Sequence, residues 1–150
     1  MGETQMHGEA KIRIEAPPEK VYDLVSDVSR MGEWSPECIS AQWVDGATGP
    51  AVGAKFKGRN KQGWMKWSTT PEVLTAERGR EFAFKTKETT WRYRFDESAG
   101  GTDVTETFEV PHYGAFMKLV APVKKREPLM VQGMQTTLQR IKAAAEGSAV

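Results

Sequence analysis

The segment TDVTETFEV (102–110) places an acid where a core residue belongs. Val104, Glu106 and Phe108 share one face of a period-two pattern, and a carboxyl group on that face is costly to bury unless it is paired, hydrated or protonated. A buried carboxyl with a raised pKa is a candidate general acid or base, and a hydrated, structurally paired carboxylate is the alternative. The segment GAKFKGRNKQG (53–63) poses the same question with different residues. Lys55, Lys57, Arg59 and Lys61 alternate with Phe56, Gly58 and Asn60, so the strand has one charged face and one face that should be buried. On that inner face Gly58 has nothing to pack and Asn60 carries polar groups that need partners. Facing a cavity, Gly58 makes room and Asn60 offers an orienting hydrogen bond; otherwise Asn60 caps a bulge beside the Gln62-Gly63 turn. Tyr93 is either a donor to a ligand carbonyl or to Glu106, or a core aromatic with its hydroxyl satisfied.

Other reactive residues form no comparable set. Cys38 and His112 invite a nucleophile reading, since a thiolate needs a nearby base, but no third orienting group stands in a recognisable pattern. The two histidines, His7 and His112, lie in unrelated segments, so no zinc spacing exists and no metal or organic cofactor is expected. The glycines at 46, 49 and 53 lead into a strand and not a helix, which excludes a phosphate loop.

Several elements must position these residues. KIRIEA (11–16) alternates Ile12 and Ile14 with charged residues and reads as a half-buried strand. PPEKVYDLVSDV begins with prolines suited to a helix start and carries Val21, Leu24, Val25 and Val28 at helical spacing. A further short turn bears Met31 and Trp34. Strands follow at CISAQWV, GAKFKGRN, WMKWSTTPEVLTAE, EFAFKT, TTWRYRFDE and TDVTETFEV, about six in all, with Pro71 marking an edge or bulge in the third. From Ala115 the period becomes helical, with Phe116, Leu119, Val120, Val123, Met130, Met134, Leu138 and Ile141 on one stripe. Pro122 and Pro128 break or kink that region, which sets the main helix at about 127–145. Strands in a run followed by a terminal helix define an α+β layer. A sheet of that size curls, and one helix cannot fill its concave side, so an internal hydrophobic cavity is expected.

The sequence also resembles a known superfamily. The stretch from IEAPPEKVYDLVSDVSRMGEWSP, the VGAKFKGRN strand, the GTDVTETFE strand and the C-terminal LQRIKAAAE are similar to START-related helix-grip (SRPBCC) proteins, in particular the bacterial polyketide cyclase/dehydrase-type branch. The resemblance runs from about Lys11 to Glu146. It implies a curved antiparallel sheet gripping a long C-terminal helix in the order β-α-α-β(about six)-α, with a hydrophobic cavity between them. Members include lipid carriers, hormone receptors and aromatase/cyclases. Family cyclases often use arginine, tyrosine, serine or histidine, whereas the register here turns Arg92 and Arg94 outward, opposite Trp91, Tyr93 and Phe95.

Composition is consistent with one domain spanning 1–150, its ends at 1–8 and 146–150 loose. With 150 residues, 39% hydrophobic, 27% charged and a net charge of +1, the chain has no global charge to steer it toward nucleic acid. The stripe Lys55 to Lys61 has acids on following strands, Glu72, Glu77 and Glu81, to neutralise it. The single cysteine and the absence of an apolar N-terminal run place the protein in the cytoplasm without stable membrane insertion. The partner is then a small hydrophobic molecule, aromatic, polyketide-like or lipid-like. Phe56, Gly58, Asn60, Trp67, Thr69, Phe84, Trp91, Tyr93, Phe95 and Phe108 line its site from the sheet, and Met130 and Met134 close it from the helix. Trp34 joins the aromatic lining, and Trp64 at the hairpin tip gates the mouth or touches a membrane. Glu106 is the proton-transfer group if the protein is a cyclase-like enzyme. A third reading is an interaction module with an exposed apolar groove. Oligomeric state is left open, a homodimer included.

Overall fold

The computed structural model describes residues 5–147; the remaining positions of the two expected loose ends, 1–4 and 148–150, lie outside the described residues. Strand β1 (Met6–Ile14) leads into helix α1 (Pro18–Ser26), a 3-10 turn (Val28–Arg30) and the single turn α2 (Met31–Trp34). Strands β2 (Cys38–Val44), β3 (Lys55–Gln62), β4 (Met65–Thr69), β5 (Glu72–Glu77), β6 (Glu81–Lys85), β7 (Thr90–Ser98) and β8 (Gly101–Val110) follow. A short helix α3 (Ala115–Val120) and the long α4 (Val123–Gly147) complete the chain. The eight strands form one antiparallel sheet in the order β1-β8-β7-β6-β5-β3-β2, with β4 paired to β3 off that path. The sheet curls into a half-barrel around α4, which is the helix-grip arrangement.

Register follows the alternation of the sequence. Phe56 and Gly58 on β3, Phe82 and Phe84 on β6, and Val104, Glu106 and Phe108 on β8 are buried, while Lys55, Lys57, Arg59 and Lys61 are all exposed. Arg92 and Arg94 point outward and both bridge to Glu81. On α4, Met130, Met134, Leu138, Ile141 and Ala145 are buried at three- and four-residue intervals, the inner stripe of an amphipathic helix. The helix packs against β1, α1 and α2.

Four boundaries differ from the sequence reading. β1 starts at Met6, not Lys11, so His7 lies in a strand and not in a loose end, and its amide donates to Glu127 Oε2 at 2.9 Å. The predicted strand 64–77 divides in two at Pro71, which lacks an amide for the ladder; its carbonyl instead accepts from Phe56 N at 3.1 Å. Seven strands therefore follow the helical hairpin. α4 begins at Val123 and continues through Pro128, one turn earlier than expected, because a proline so near the start removes little of the hydrogen-bond ladder. Finally, α3 buries none of its residues: Phe116 and Leu119, expected on the core stripe, are 72% and 81% exposed. Among the described residues no helix is long and apolar enough to cross a membrane.

Candidate ligand-binding site

A cavity of about 880 Å³ lies between the sheet, α2, α3 and α4, within the size range of small-molecule sites. Phe56, Gly58 and Asn60 of β3 line it. A Cβ added to Gly58 would come no closer than 3.6 Å to Thr69 Oγ1 and 3.9 Å to Asn60 Nδ2. Nothing in the fold presses on this glycine, so its small size leaves space in the cavity. Gly8 shows the opposite case: an added Cβ would sit 2.6 Å from both Phe108 and Val131 side chains, and there the glycine is required for close passage of α4 over β1.

Trp67 and Thr69 of β4, Phe84 of β6, Trp91 and Tyr93 of β7, Glu106 of β8, and Met130 and Met134 of α4 line the same cavity. Two expected wall residues do not. Phe95 is turned beneath α1, where its ring meets Tyr22 edge-on at 5.7 Å, because α1 covers that end of the sheet. Phe108 is fully buried against Trp91, 5.4 Å between ring centroids, and under the α4 crossing beside Gly8. Trp34 lines the cavity from α2, and Trp64, 82% exposed, stands at its mouth on the β3–β4 turn with Phe116 and Val120 of α3.

Sequence reasoning did not find the ion pair at the α4 end of the wall. Arg126 donates to both oxygens of Glu37, at 2.6 and 2.9 Å, and its guanidinium lies 5.7 Å from the Trp67 ring. The partners are 89 residues apart in the chain, so no local spacing announces them. Tyr113 was also missed; its hydroxyl donates to the Ala121 carbonyl at 2.6 Å and ties the two ends of α3 together.

Glu106 dominates the electrostatics. It is 3% exposed, and burial pushes its carboxyl up to about 8, partly offset by a hydrogen bond from the Tyr93 hydroxyl. Burial in turn raises the Tyr93 phenol far above its ordinary range, and the neighbouring Glu106 adds to that rise. At neutral pH the site therefore holds a protonated acid in an apolar wall, able to donate a hydrogen bond or a proton. Cys38 also lines the cavity, but burial raises its thiol and Sγ donates to the Ser40 carbonyl at 3.5 Å. That is the setting of an unreactive cysteine. His112 is not part of the wall, and the described residues contain no group of three His, Cys, Asp or Glu that could hold a metal ion.

With this geometry in place, the comparisons with known proteins assign the class. The family described as "Polyketide cyclase / dehydrase and lipid transport" matches residues 5–146. The chain belongs to that family. Among solved structures it is similar to the Polyketide_cyc-like protein Cgl2372 from Corynebacterium glutamicum, with 32% identity, a TM-score of 0.69, and coverage of 99% of this chain and 96% of that one. TTHA0849 from Thermus thermophilus shares the fold at 19% identity and a TM-score of 0.77, covering 96% of this chain and 99% of that one. So does the di-domain ARO/CYC StfQ of the steffimycin biosynthetic pathway, at 12% identity and a TM-score of 0.78, with 96% of this chain matched to 51% of that one. No curated protein matches the sequence.

Proposed function

We propose that the protein is a cytoplasmic binder of a small hydrophobic molecule, held without a cofactor between the sheet and α4. The observation that carries this reading is the space left at Gly58 inside a large, mostly apolar cavity. Asn60, Tyr93 and Glu106 orient the polar atoms of the ligand, while Phe56, Trp67, Phe84 and Trp91 form the flat apolar walls and Met130 and Met134 adapt to its shape. Native mass spectrometry of gently purified protein, followed by extraction, tests it: a discrete added mass that resolves to one hydrophobic compound supports binding. Gly58→Leu should then fill the cavity and remove that mass from a protein that still folds. A stable Gly58→Leu variant with normal affinity refutes this placement of the ligand.

A second reading is a polyketide cyclase-like enzyme in which Glu106 transfers the proton. It is favoured by one observation, a carboxyl group buried in the apolar wall where burial raises its pKa, and by the family to which the chain belongs. Glu106→Gln keeps the shape and removes the titrating proton, so it should lose turnover while retaining ligand affinity. Retained turnover sinks this role.

A further inference from the structure

Charge is distributed unevenly over this nearly neutral chain, and the excess of cations lies around the cavity mouth. Segments 55–69, 86–89 and 115–126 supply the β3–β4 hairpin, the β6–β7 turn and the α3–α4 junction. They contain ten of the chain's 21 Lys and Arg but one of its 20 acidic residues, Glu88. The acids expected to neutralise the β3 stripe are engaged elsewhere: Glu72 stands opposite Lys55 and Lys85, Glu77 stands opposite Glu81, and Glu81 bridges Arg92 and Arg94. Farther along β3 the cross-strand neighbours are Gln42 for Lys57, Ser40 and Ser68 for Arg59, and Lys66 for Lys61. Lys57, Arg59, Lys61 and Lys66 have no ion-pair partner among the described residues. Like charges directly opposite in a sheet repel, so the Lys61–Lys66 pair carries a cost that an anionic surface would relieve.

Large apolar side chains project from the same place. Trp64 at the hairpin tip and Phe116, Leu119 and Val120 of α3 are exposed, and all but Leu119 border the cavity together with Lys66 and Lys87. Leu119 follows Phe116 by three residues and shares its helix face. We propose that this face docks reversibly on an anionic lipid bilayer. Trp64, Phe116 and Leu119 enter the headgroup region, the surrounding lysines meet the lipid anions, and the cavity opens onto the membrane. This goes beyond the binding reading above, because docking depends on the outer face and not on what the cavity holds. A second copy of the chain fits poorly, since it would set lysines against lysines. A soluble acidic partner would need pockets for side chains that project from two separate elements, whereas a fluid bilayer admits such tips without shape complementarity. Phosphates of a nucleic acid would satisfy the lysines and leave Leu119 and Val120 in water.

The test is co-sedimentation of the full chain with vesicles of phosphatidylcholine alone or with about three-tenths phosphatidylglycerol. At about 0.1 M salt the anionic vesicles should bind about tenfold or more tighter, and the difference should collapse near about 0.5 M as screening shortens. Lys61→Glu combined with Lys66→Glu should weaken anionic binding about 25-fold or more, at about fivefold for each lysine near such a surface. Lys11→Glu combined with Lys20→Glu changes net charge equally at residues that do not line the cavity, and should have a far smaller effect. Trp64→Ser combined with Leu119→Ser should weaken binding about tenfold while urea unfolding stays as in the parent. Gly58→Leu, with its cavity filled, should bind vesicles like the parent, which separates docking from the ligand-binding reading; loss of vesicle binding in that variant overturns docking by the outer face. Equal binding to both vesicles, binding to neither, or equal losses in the two lysine pairs also overturns it. So does binding to heparin with no binding to vesicles, which would assign the lysines to another polyanion.

Discussion

A buried acid that must stay protonated leaves a mark on stability that does not depend on any ligand. Glu106 titrates at about 8 in the folded protein against the usual glutamate value of 4.5. Between those limits the native state holds a proton that the unfolded chain has released, so the unfolded state binds fewer protons and stability must fall as pH rises. The slope approaches about 1.4 kcal/mol per pH unit, and across the whole interval the loss amounts to about 4–5 kcal/mol. About 2–3 kcal/mol of it falls between roughly pH 5 and pH 7, and above about pH 8 the contribution levels off. Urea unfolding of ligand-free protein at a series of pH values, compared with Glu106→Gln, isolates the effect, because other titrating groups are common to both. The difference between the two curves should descend with the stated slope. Parallel curves would show that Glu106 ionises as an ordinary carboxylate in the folded protein and that burial does not hold its proton.

Phe56→Ala should cost about 3–5 kcal/mol, since the ring is 1% exposed and sits edge-on to Trp43 and Phe84 at 5.7 and 5.2 Å; a loss under about 1 kcal/mol in urea titration would contradict this packing. Glu37→Ala strips Arg126 of its partner at a site where both side chains are largely buried. It should cost about 1–3 kcal/mol and speed hydrogen exchange in the first turns of α4, whereas unchanged exchange would mean that the pair does not hold the helix start. Phe116→Ser combined with Leu119→Ser should leave unfolding stability within about 0.5 kcal/mol of the parent, given how exposed both residues are; a larger loss would place α3 in the core.

Period-two alternation was the most readable feature of the chain, because a sheet with one wet and one covered face demands it. It placed Gly58, Asn60, Tyr93 and Glu106 on the covered face of their strands, and all four line the cavity. What it could not convey was where along that face each element on top ends. Phe95 has the same parity as Tyr93, yet α1 sits over one and the cavity over the other. The early part of β1 was hidden by its own packing: Gly8 is small because α4 and Phe108 crowd that strand, and a glycine carries no hydrophobic signature. The helical period from Ala115 was real, but periodicity does not say whether a neighbour exists for the apolar side to meet, and in α3 Met117 packs against the core while Phe116 and Leu119 face outward. Trp34 was recognisable as an aromatic candidate, while the burial of its N–H without a hydrogen-bond partner depends on every group around it and has no local sign.

The exposure of α3 bears on how a molecule would reach the cavity. Phe116, Met117 and Val120 border the cavity, and the helix is held by its own turn, by the bond from Tyr113 to the Ala121 carbonyl and by Met117 packing against the core. Because no residue of α3 is buried, displacing it would be a local event costing far less than global unfolding. If the cavity holds a ligand, entry past α3 would leave the sheet and α4 closed around the rest, and the residence time of that ligand would be a property separate from the stability of the fold.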